Sequence, residues 1–132
     1  MDDRRRISSG SPFERTIGFS RAVRVGDRVI VAGTAPLLPG GGCPDGAAAQ
    51  ARRCLQIIEQ ALEEVGAGLD HVVRTRMLLV SAADADAVGA VHGELLGHVR
   101  PAATMVVVAG LLDPAWKVEI EAEAVLPGGG PT

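Results

Sequence analysis

The clearest pattern along the chain is the alternation of apolar and charged residues in VEIEAEAV, residues 118–125. Every second residue from Val118 to Ala124 is apolar, and the three residues between them are glutamates. A period of two predicts a β-strand with one face in an apolar core and three carboxylates on the other face. Those carboxylates either lie in water, or at least one of them takes part in chemistry.

A second pattern predicts a β-hairpin near the N-terminus. Residues 22–25 and 28–35 are rich in β-branched residues and flank the turn pair Gly-Asp. The run VIVA, residues 29–32, is apolar at every position, which predicts that the second strand lies in the middle of a sheet. Gly33 interrupts this strand, and a glycine inside a strand often marks a bulge or the close approach of another group.

Two segments have helical periodicity. In the first, apolar residues recur at spacings of three and four, which predicts a helix over about 47–65. Its apolar stripe consists of Leu55, Ile58, Leu62 and Val65. The segment SAAD, residues 81–84, resembles a capping box and predicts a second, shorter helix that ends near Leu96.

The remaining apolar runs, 71–80 and 104–110, predict two further strands. The order ββ-α-β-α-ββ predicts an α+β fold in which one mixed sheet carries two helices on one face. The other face would then be apolar but uncovered, so we expect a homo-oligomer with small-molecule sites between subunits. Residues 1–12 are interpreted as a flexible arm, 13–127 as a single domain and 128–132 as a flexible tail.

Composition narrows the function classes. The net charge is −3 and the aromatic residues are Phe13, Phe19 and Trp116, which argues against a nucleic-acid partner. No apolar run is long enough to cross a bilayer and no signal sequence is evident, so we expect a cytoplasmic protein without a membrane partner. The two cysteines lie in no Cys/His cluster, which predicts neither a disulfide nor a metal site.

Three blocks resemble the YjgF/RidA family, also called the L-PSP endoribonuclease family, in order, spacing and wording. They are VAGTAP (31–36), AQARRCLQIIEQALEEVGAGLDHVVRTRMLLV (49–80) and RPAATMVVVAGLLDPAWKVEIEAEAV (100–125). The resemblance implies a chorismate-mutase-like fold and a homotrimer with clefts between its subunits. It also implies a hydrolase, or deaminase, that converts small reactive imines and enamines to keto acids and ammonia without a cofactor.

The resemblance also assigns site residues. Glu119 occupies the position of the glutamate that activates water and is the candidate catalytic residue. The candidate substrate-binding positions are Phe19, Ala32, Ala103, Thr104 and Met105. Phe19 replaces the usual tyrosine, and Ala103 replaces the arginine that binds the substrate carboxylate in family deaminases. A methyl group cannot replace a bidentate guanidinium, so we expect a more apolar pocket and a substrate without the usual carboxylate.

Two further candidate site residues are chosen for their side-chain chemistry rather than from the resemblance. Arg76 is preferred as a replacement cation over the other candidates, which are Arg21, Arg24, Arg28, Arg74 and Arg100. His92 is a candidate proton shuttle beside Glu119, since imidazole titrates near neutrality. An arginine or histidine at such a position is more often a surface or interface residue. For the three glutamates, spacing alone likewise favours a solvated face. The alternative to a hydrolase is a trimeric, non-catalytic small-molecule-binding or regulatory protein, and ribonuclease activity ranks last.

Overall fold

The computed structural model describes residues 3–127 of the chain. Its strands are β1 (Arg5–Ile7), β2 (Ala22–Val25), β3 (Arg28–Thr34), β4 (Val72–Leu79), β5 (Ala102–Val107) and β6 (Val118–Val125). Its two main helices are α1 (Ala47–Glu63) and α2 (Ala85–Leu96). Single helical turns at Glu14–Gly18, Leu69–His71 and Ala82–Asp84 connect these elements.

The six strands form one mixed sheet in the order β1-β2-β3-β6-β4-β5. Neighbouring strands are antiparallel except β4 and β5, which run parallel and are joined through α2. Both helices contribute to the core on the same face of the sheet. The predicted α+β fold, with one mixed sheet and two helices on one face, is therefore confirmed.

The helix-covered face of the sheet holds the apolar core. The apolar residues of β6 that occupy this face are all buried; they are Val118, Ile120, Ala122 and Ala124. The predicted stripe packs against them: Leu55, Ile58 and Leu62 lie on α1, Val65 lies just after its end, and all four are 0–1% exposed. Each fully buried aliphatic side chain stabilises the fold by about 1.5–3 kcal/mol, so this face carries most of the stability.

The opposite face, here called the open face, has no helix over it within residues 3–127. The residues that define it are Ile30, Arg74, Arg76, Leu78, Glu119, Glu121 and Glu123. Arg28 and Arg76 form ion pairs with Glu123 and Glu121, at 3.4 and 3.7 Å. Ile30 is 48% exposed between these charges. In the single chain this face is uncovered, as its sequence predicts.

The N-terminal segment differs from the flexible arm expected over residues 1–12. Arg5–Ile7 form β1, an edge strand that pairs antiparallel with β2. Ile7 is only 8% exposed because it reaches the core beside Ala22. A three-residue strand is too short to show a period in the sequence, which is why the pattern gives no sign of it. The first two residues and the expected tail at 128–132 lie outside the described residues.

Among the helices of residues 3–127, none is both long enough and apolar enough to span a lipid bilayer.

Candidate active site

Glu119 lies on the open face where β3 and β6 depart from regular pairing. Its neighbour on one side is Leu78 of β4, and on the other side β3 has an irregularity between Val31 and Thr34. A Cβ atom placed on Gly33 would lie 3.2 Å from Oε1 of Glu119. A side chain at this position would press on the carboxylate, so the glycine leaves room for it. The predicted bulge or close approach at Gly33 is confirmed.

The surroundings of Glu119 change the protonation of its carboxyl group. Burial raises the pKa of Glu119 above its ordinary value, the positive charge of Arg21 opposes this shift, and the negative charge of Glu121 adds to it. The net direction is upward. A half-buried carboxyl group with a raised pKa is a stronger base than an exposed one, which suits it to accept and return a proton.

Arg21, one of the alternatives to Arg76 as a replacement cation, is the arginine whose charge acts on Glu119. Arg21 comes directly before β2, and its Nη2 donates a hydrogen bond of 2.5 Å to the carbonyl oxygen of Gly33. This bond brings the guanidinium to the bulge beside Glu119. Burial lowers the pKa of Arg21, and the charges of Glu14 and Glu119 partly restore it.

Glu14 is a second buried carboxylate that the sequence does not single out. Its side chain accepts hydrogen bonds from the backbone N–H of Ser9 (2.9 Å) and from the Ser9 hydroxyl. Burial alone would raise the pKa of Glu14, but hydrogen bonds from Ser9 and Ser8 and the charge of Arg21 bring it below its ordinary value. Glu14 therefore stays ionised and serves as a counter-charge for Arg21.

Arg76, which the sequence favours as a replacement cation near position 103, forms an ion pair with Glu121. Its Nη1 lies 3.7 Å from Oε1 of Glu121, its register partner on β6. On its other side Arg76 is in register with Thr104 of β5. Arg76 thus shares the open face with Glu119, but its charge is directed to Glu121, and the cation that affects Glu119 is Arg21.

His92 lies on the wrong face of the sheet to act beside Glu119 in the same chain. Its Nε2 is 2.8 Å from Oγ1 of Thr75, a residue of the helix-covered face that is 1% exposed. Burial lowers the pKa of His92, which favours a neutral imidazole. The expectation of a His92–Glu119 pair within one chain is wrong because α2 packs His92 beneath the sheet.

The three candidates on β5 divide between the two faces. Ala103 and Met105 are in register with Thr75 and Met77 and share the helix-covered side with them. Met105 packs against the core there, and its Cε lies 3.9 Å from a Cβ placed on Gly89. Thr104 alternates with them and shares the open face with Glu119.

The remaining candidates lie near the irregular part of β3. Ala32 is adjacent to Gly33, and its N–H donates to the carbonyl of Arg21 at 3.0 Å. Phe19 precedes Arg21 by two residues and is 37% exposed. One chain thus groups Glu119 with Ala32, Gly33 and Arg21, and leaves Ala103, Met105 and His92 on the opposite face.

The open face also has a shallow depression of about 180 Å³ next to this group. Its lining residues are Ile30, Val31, Arg74, Arg76, Glu121, Ala122 and Glu123. Glu119 is not among them, so this depression is a neighbouring feature rather than a pocket around the candidate catalytic residue.

The two cysteines and the potential metal ligands give no further chemistry to this site. Burial raises the pKa of the Cys54 thiol to about 12, with a further contribution from Glu119, so the thiol is protonated and unreactive near neutral pH. Both cysteines are free. Between Asp3 and Pro127, no three His, Cys, Asp or Glu side chains gather at ligand distances. That the protein needs no metal or cofactor stays a prediction.

Sequence and structure comparisons give a consistent result. The family model described as "Endoribonuclease L-PSP" matches residues 11–126. The chain is 44% identical over 124 residues to protein SCO2049 of Streptomyces coelicolor, covering 91% of this chain and 90% of that protein. It is 30% identical over 124 residues to mouse 2-iminobutanoate/2-iminopropanoate deaminase, covering 92% and 91% of the two chains.

A solved structure agrees with these relatives. The crystal structure of Rv2704 from Mycobacterium tuberculosis, described as a member of the YjgF/YER057c/UK114 family, matches with a TM-score of 0.87 and 45% identity. The match covers 94% of this chain and 100% of that chain. On its fold, its Glu119-bearing strand and these matches, the chain belongs to the YjgF/RidA family.

Proposed function

We propose that the protein is a cofactor-free, RidA-like hydrolase of small reactive imines or enamines, in which Glu119 orients and activates water. The observation that carries this proposal is the Glu119 carboxyl group itself, half-buried at the Gly33 bulge with a raised pKa. The similarity to a mouse imine deaminase supports the reaction class. The cytoplasm remains the expected location.

In the proposed reaction, water adds to the carbon of a protonated C=N bond while the Glu119 carboxylate takes a proton from that water. The protonated Glu119 then returns the proton to nitrogen, the C–N bond breaks to release ammonia, and the hydroxyl proton of the adduct passes through the Glu119 carboxylate to ammonia as the carbonyl forms. A protonated imine and water thus become a carbonyl compound and ammonium, and no redox partner is needed. General acid–base catalysis of this kind contributes about 10²–10⁴-fold to the rate.

We also propose that the catalytic unit is a homotrimer whose clefts lie between copies of the chain. The uncovered open face, with Ile30 exposed among charged residues, supports association through this face. β5 is an edge strand, so the backbone of Thr104 and Met105 is free to complete a cleft with another copy. The division of the candidates between two faces of one chain also fits a site made from more than one subunit.

Ala103 indicates which class of substrate the site could bind. The family deaminases bind a carboxylate through an arginine at this position, and here only a methyl group is present. We therefore propose an imine or related carbonyl compound that lacks this carboxylate. The same observation favours the alternative function, a trimeric protein that binds a metabolite without turning it over. Ribonuclease activity, which the family description names, has little support from a chain with net charge −3 and three aromatic residues.

The test is ammonia release from freshly generated 2-aminoacrylate and from a series of uncharged imines. We expect wild type to hydrolyse at least one of them, and Glu119→Gln to lower turnover about 10²–10⁴-fold. Glu123→Gln is the matched control because it removes the same charge from the same face of β6, where the glutamate pairs with Arg28 instead. It should stay close to wild type.

Ala103→Arg, assayed beside these variants, separates the two candidate functions. Activity on 2-aminoacrylate gained only in Ala103→Arg would mean that the scaffold is competent and that this chain has a different substrate. No turnover by either protein on any imine would contradict the hydrolase and favour the binding protein.

A further inference from the structure

We propose that Arg21 is a positioning residue for the Glu119 carboxylate, held at the Gly33 bulge on one side and balanced by the buried Glu14 on the other. The fixed positive charge of the site would then come from the entry to β2 rather than from position 103 on β5. The catalytic consequence rests on the proposed function, whereas the coupling between the two charges is measurable without turnover.

The backbone around Arg21 fixes where its side chain begins. The N–H of Arg21 donates to the carbonyl of Ile7 at 2.8 Å, and the carbonyl of Arg21 accepts from the N–H of Ala32 at 3.0 Å. These bonds join Arg21 to β1 on one side and to the irregular part of β3 on the other. The start of the side chain is thus part of the sheet rather than of a free loop.

Gly33 connects the two charged groups. Its carbonyl oxygen accepts from Nη2 of Arg21 at 2.5 Å, and its missing Cβ leaves 3.2 Å to Oε1 of Glu119. A larger residue at this point would separate the guanidinium from the carboxylate or displace Glu119. One residue of the bulge therefore sets the position of both charges.

The burial of Arg21 has a cost that its contacts only partly offset. The Nε atom is buried without a hydrogen-bond partner among residues 3–127. Leaving a buried donor unsatisfied costs about 1–3 kcal/mol, and burying a cation costs more unless opposite charge is near. Glu14 and Glu119 supply that opposite charge. Burial of Arg21 therefore lowers the stability of the fold, which favours a role for this residue other than that of a solvated surface charge.

The charged and titratable groups around Glu119 predict in which direction a substitution will change its pKa. Arg21 lowers the pKa of Glu119 and Glu121 raises it, against an upward shift from burial. Arg76 faces Glu121, and the Cys54 thiol on α1 is neutral near pH 7. Loss of the Arg21 charge should therefore raise the pKa of Glu119, and loss of the Glu121 charge should lower it.

The experiment is a carbon-detected NMR titration of the full chain labelled with ¹³C at glutamate Cδ, with Glu119→Gln used to assign the Glu119 signal. We expect the Glu119 midpoint to move to higher pH in Arg21→Gln and to lower pH in Glu121→Gln. Arg24→Gln is the matched control, because Arg24 also bonds a backbone carbonyl, that of Val65, but does not act on Glu119. Its midpoint should equal that of wild type.

An unchanged or lowered midpoint in Arg21→Gln overturns the proposal. If Arg21→Gln does not fold, Arg21→Lys keeps the positive charge but loses the planar fork that reaches Gly33. A smaller upward shift is expected for this variant, and a midpoint equal to that of wild type would contradict a positioning role.

Activity provides an independent measurement. The acid limb of the kcat/KM profile should move to higher pH in Arg21→Gln, because Glu119 must be ionised to accept a proton. A shifted NMR midpoint without turnover in any variant would support the positioning role and contradict the hydrolase. Turnover that depends on Glu119 but has the same acid limb in Arg21→Gln would support the hydrolase and contradict the positioning role.

Discussion

The eight residues of β6 alternate between two faces of the sheet, and the two faces differ in burial and charge. On the helix-covered face, Val118, Ile120, Ala122 and Ala124 are at most 2% exposed. On the open face, the surroundings of Glu119 differ from those of Glu121 and Glu123. Glu123 and Glu121 pair with arginines, and Glu119 lies at a bulge with a raised pKa.

This difference shows why one glutamate of three is the candidate for chemistry. The ion pairs of Glu121 and Glu123 are partly exposed, and such pairs contribute little to stability. Glu119 has no direct ion pair within the described residues, is partly desolvated and lies against Gly33. The alternation of the strand creates the open face, but the irregularity of β3 makes one position on it unlike the others.

The largest effect on stability is expected from Ile120→Ala, on the helix-covered face. Ile120 is 0% exposed and its truncation leaves a cavity between the sheet and α1. Such truncations cost about 2–5 kcal/mol. Urea unfolding followed by circular dichroism measures this cost, and a loss well below 1 kcal/mol would mean that the core is not packed as described.

Much of the fold is predictable because its patterns are local. The β2–β3 hairpin, the start of α1 and the bounds of β6 follow from alternation, turn residues and helical spacing. β1 is missed because its three residues are defined by pairing with β2, a contact distant in sequence. Local periodicity carries no information on such pairing.

The site is less predictable than the fold for the same reason. The sequence singles out Glu119, and Gly33 as a point of close approach, but it does not indicate that the charge of Arg21 acts on Glu119; its preference for Arg76 concerns a substrate-binding cation. Which arginine reaches Glu119 depends on the bulge of β3 and on the entry to β2, both of which are tertiary features. His92 is misplaced because a helical pattern does not show which way a polar residue at the edge of the apolar stripe will point.

Gln50 is an exception to the apolar character of the helix-covered side, and it gives the second prediction. This α1 residue is 2% exposed; its amide donates to the carbonyls of Pro44 and Ala115, at 3.0 Å each, and its Oε1 accepts from the N–H of Lys117 at 2.7 Å. Gln50 thereby connects α1 to the loop that contains Pro44 and to the loop that contains Ala115 and Lys117. Gln50→Leu should cost about 1–3 kcal/mol, although it adds apolar surface, because buried backbone groups lose their partners.

The same urea titration measures this loss, with Gln56→Leu on the exposed side of α1 as the control. We expect the control to stay within about 0.5 kcal/mol of wild type. A Gln50 variant as stable as wild type would show that water replaces the side chain in these three contacts.

The smallest effect within one folded chain is expected from Ile30→Ala, which makes the same kind of truncation as Ile120→Ala on the other face. Ile30 is 48% exposed, so in a separate chain its loss should cost about 1 kcal/mol or less. If copies of the chain cover the open face, the unfolding midpoint of wild type must rise with protein concentration, because association adds to the stability of the folded state. Ile30 is then buried between copies, so Ile30→Ala should cost more than about 1 kcal/mol. Unfolding midpoints of wild type and both isoleucine variants, measured over a hundredfold range of concentration, distinguish the two cases. A wild-type midpoint that does not change with concentration, together with a small cost for Ile30→Ala, would mean that the open face remains in water and would contradict the proposed homotrimer.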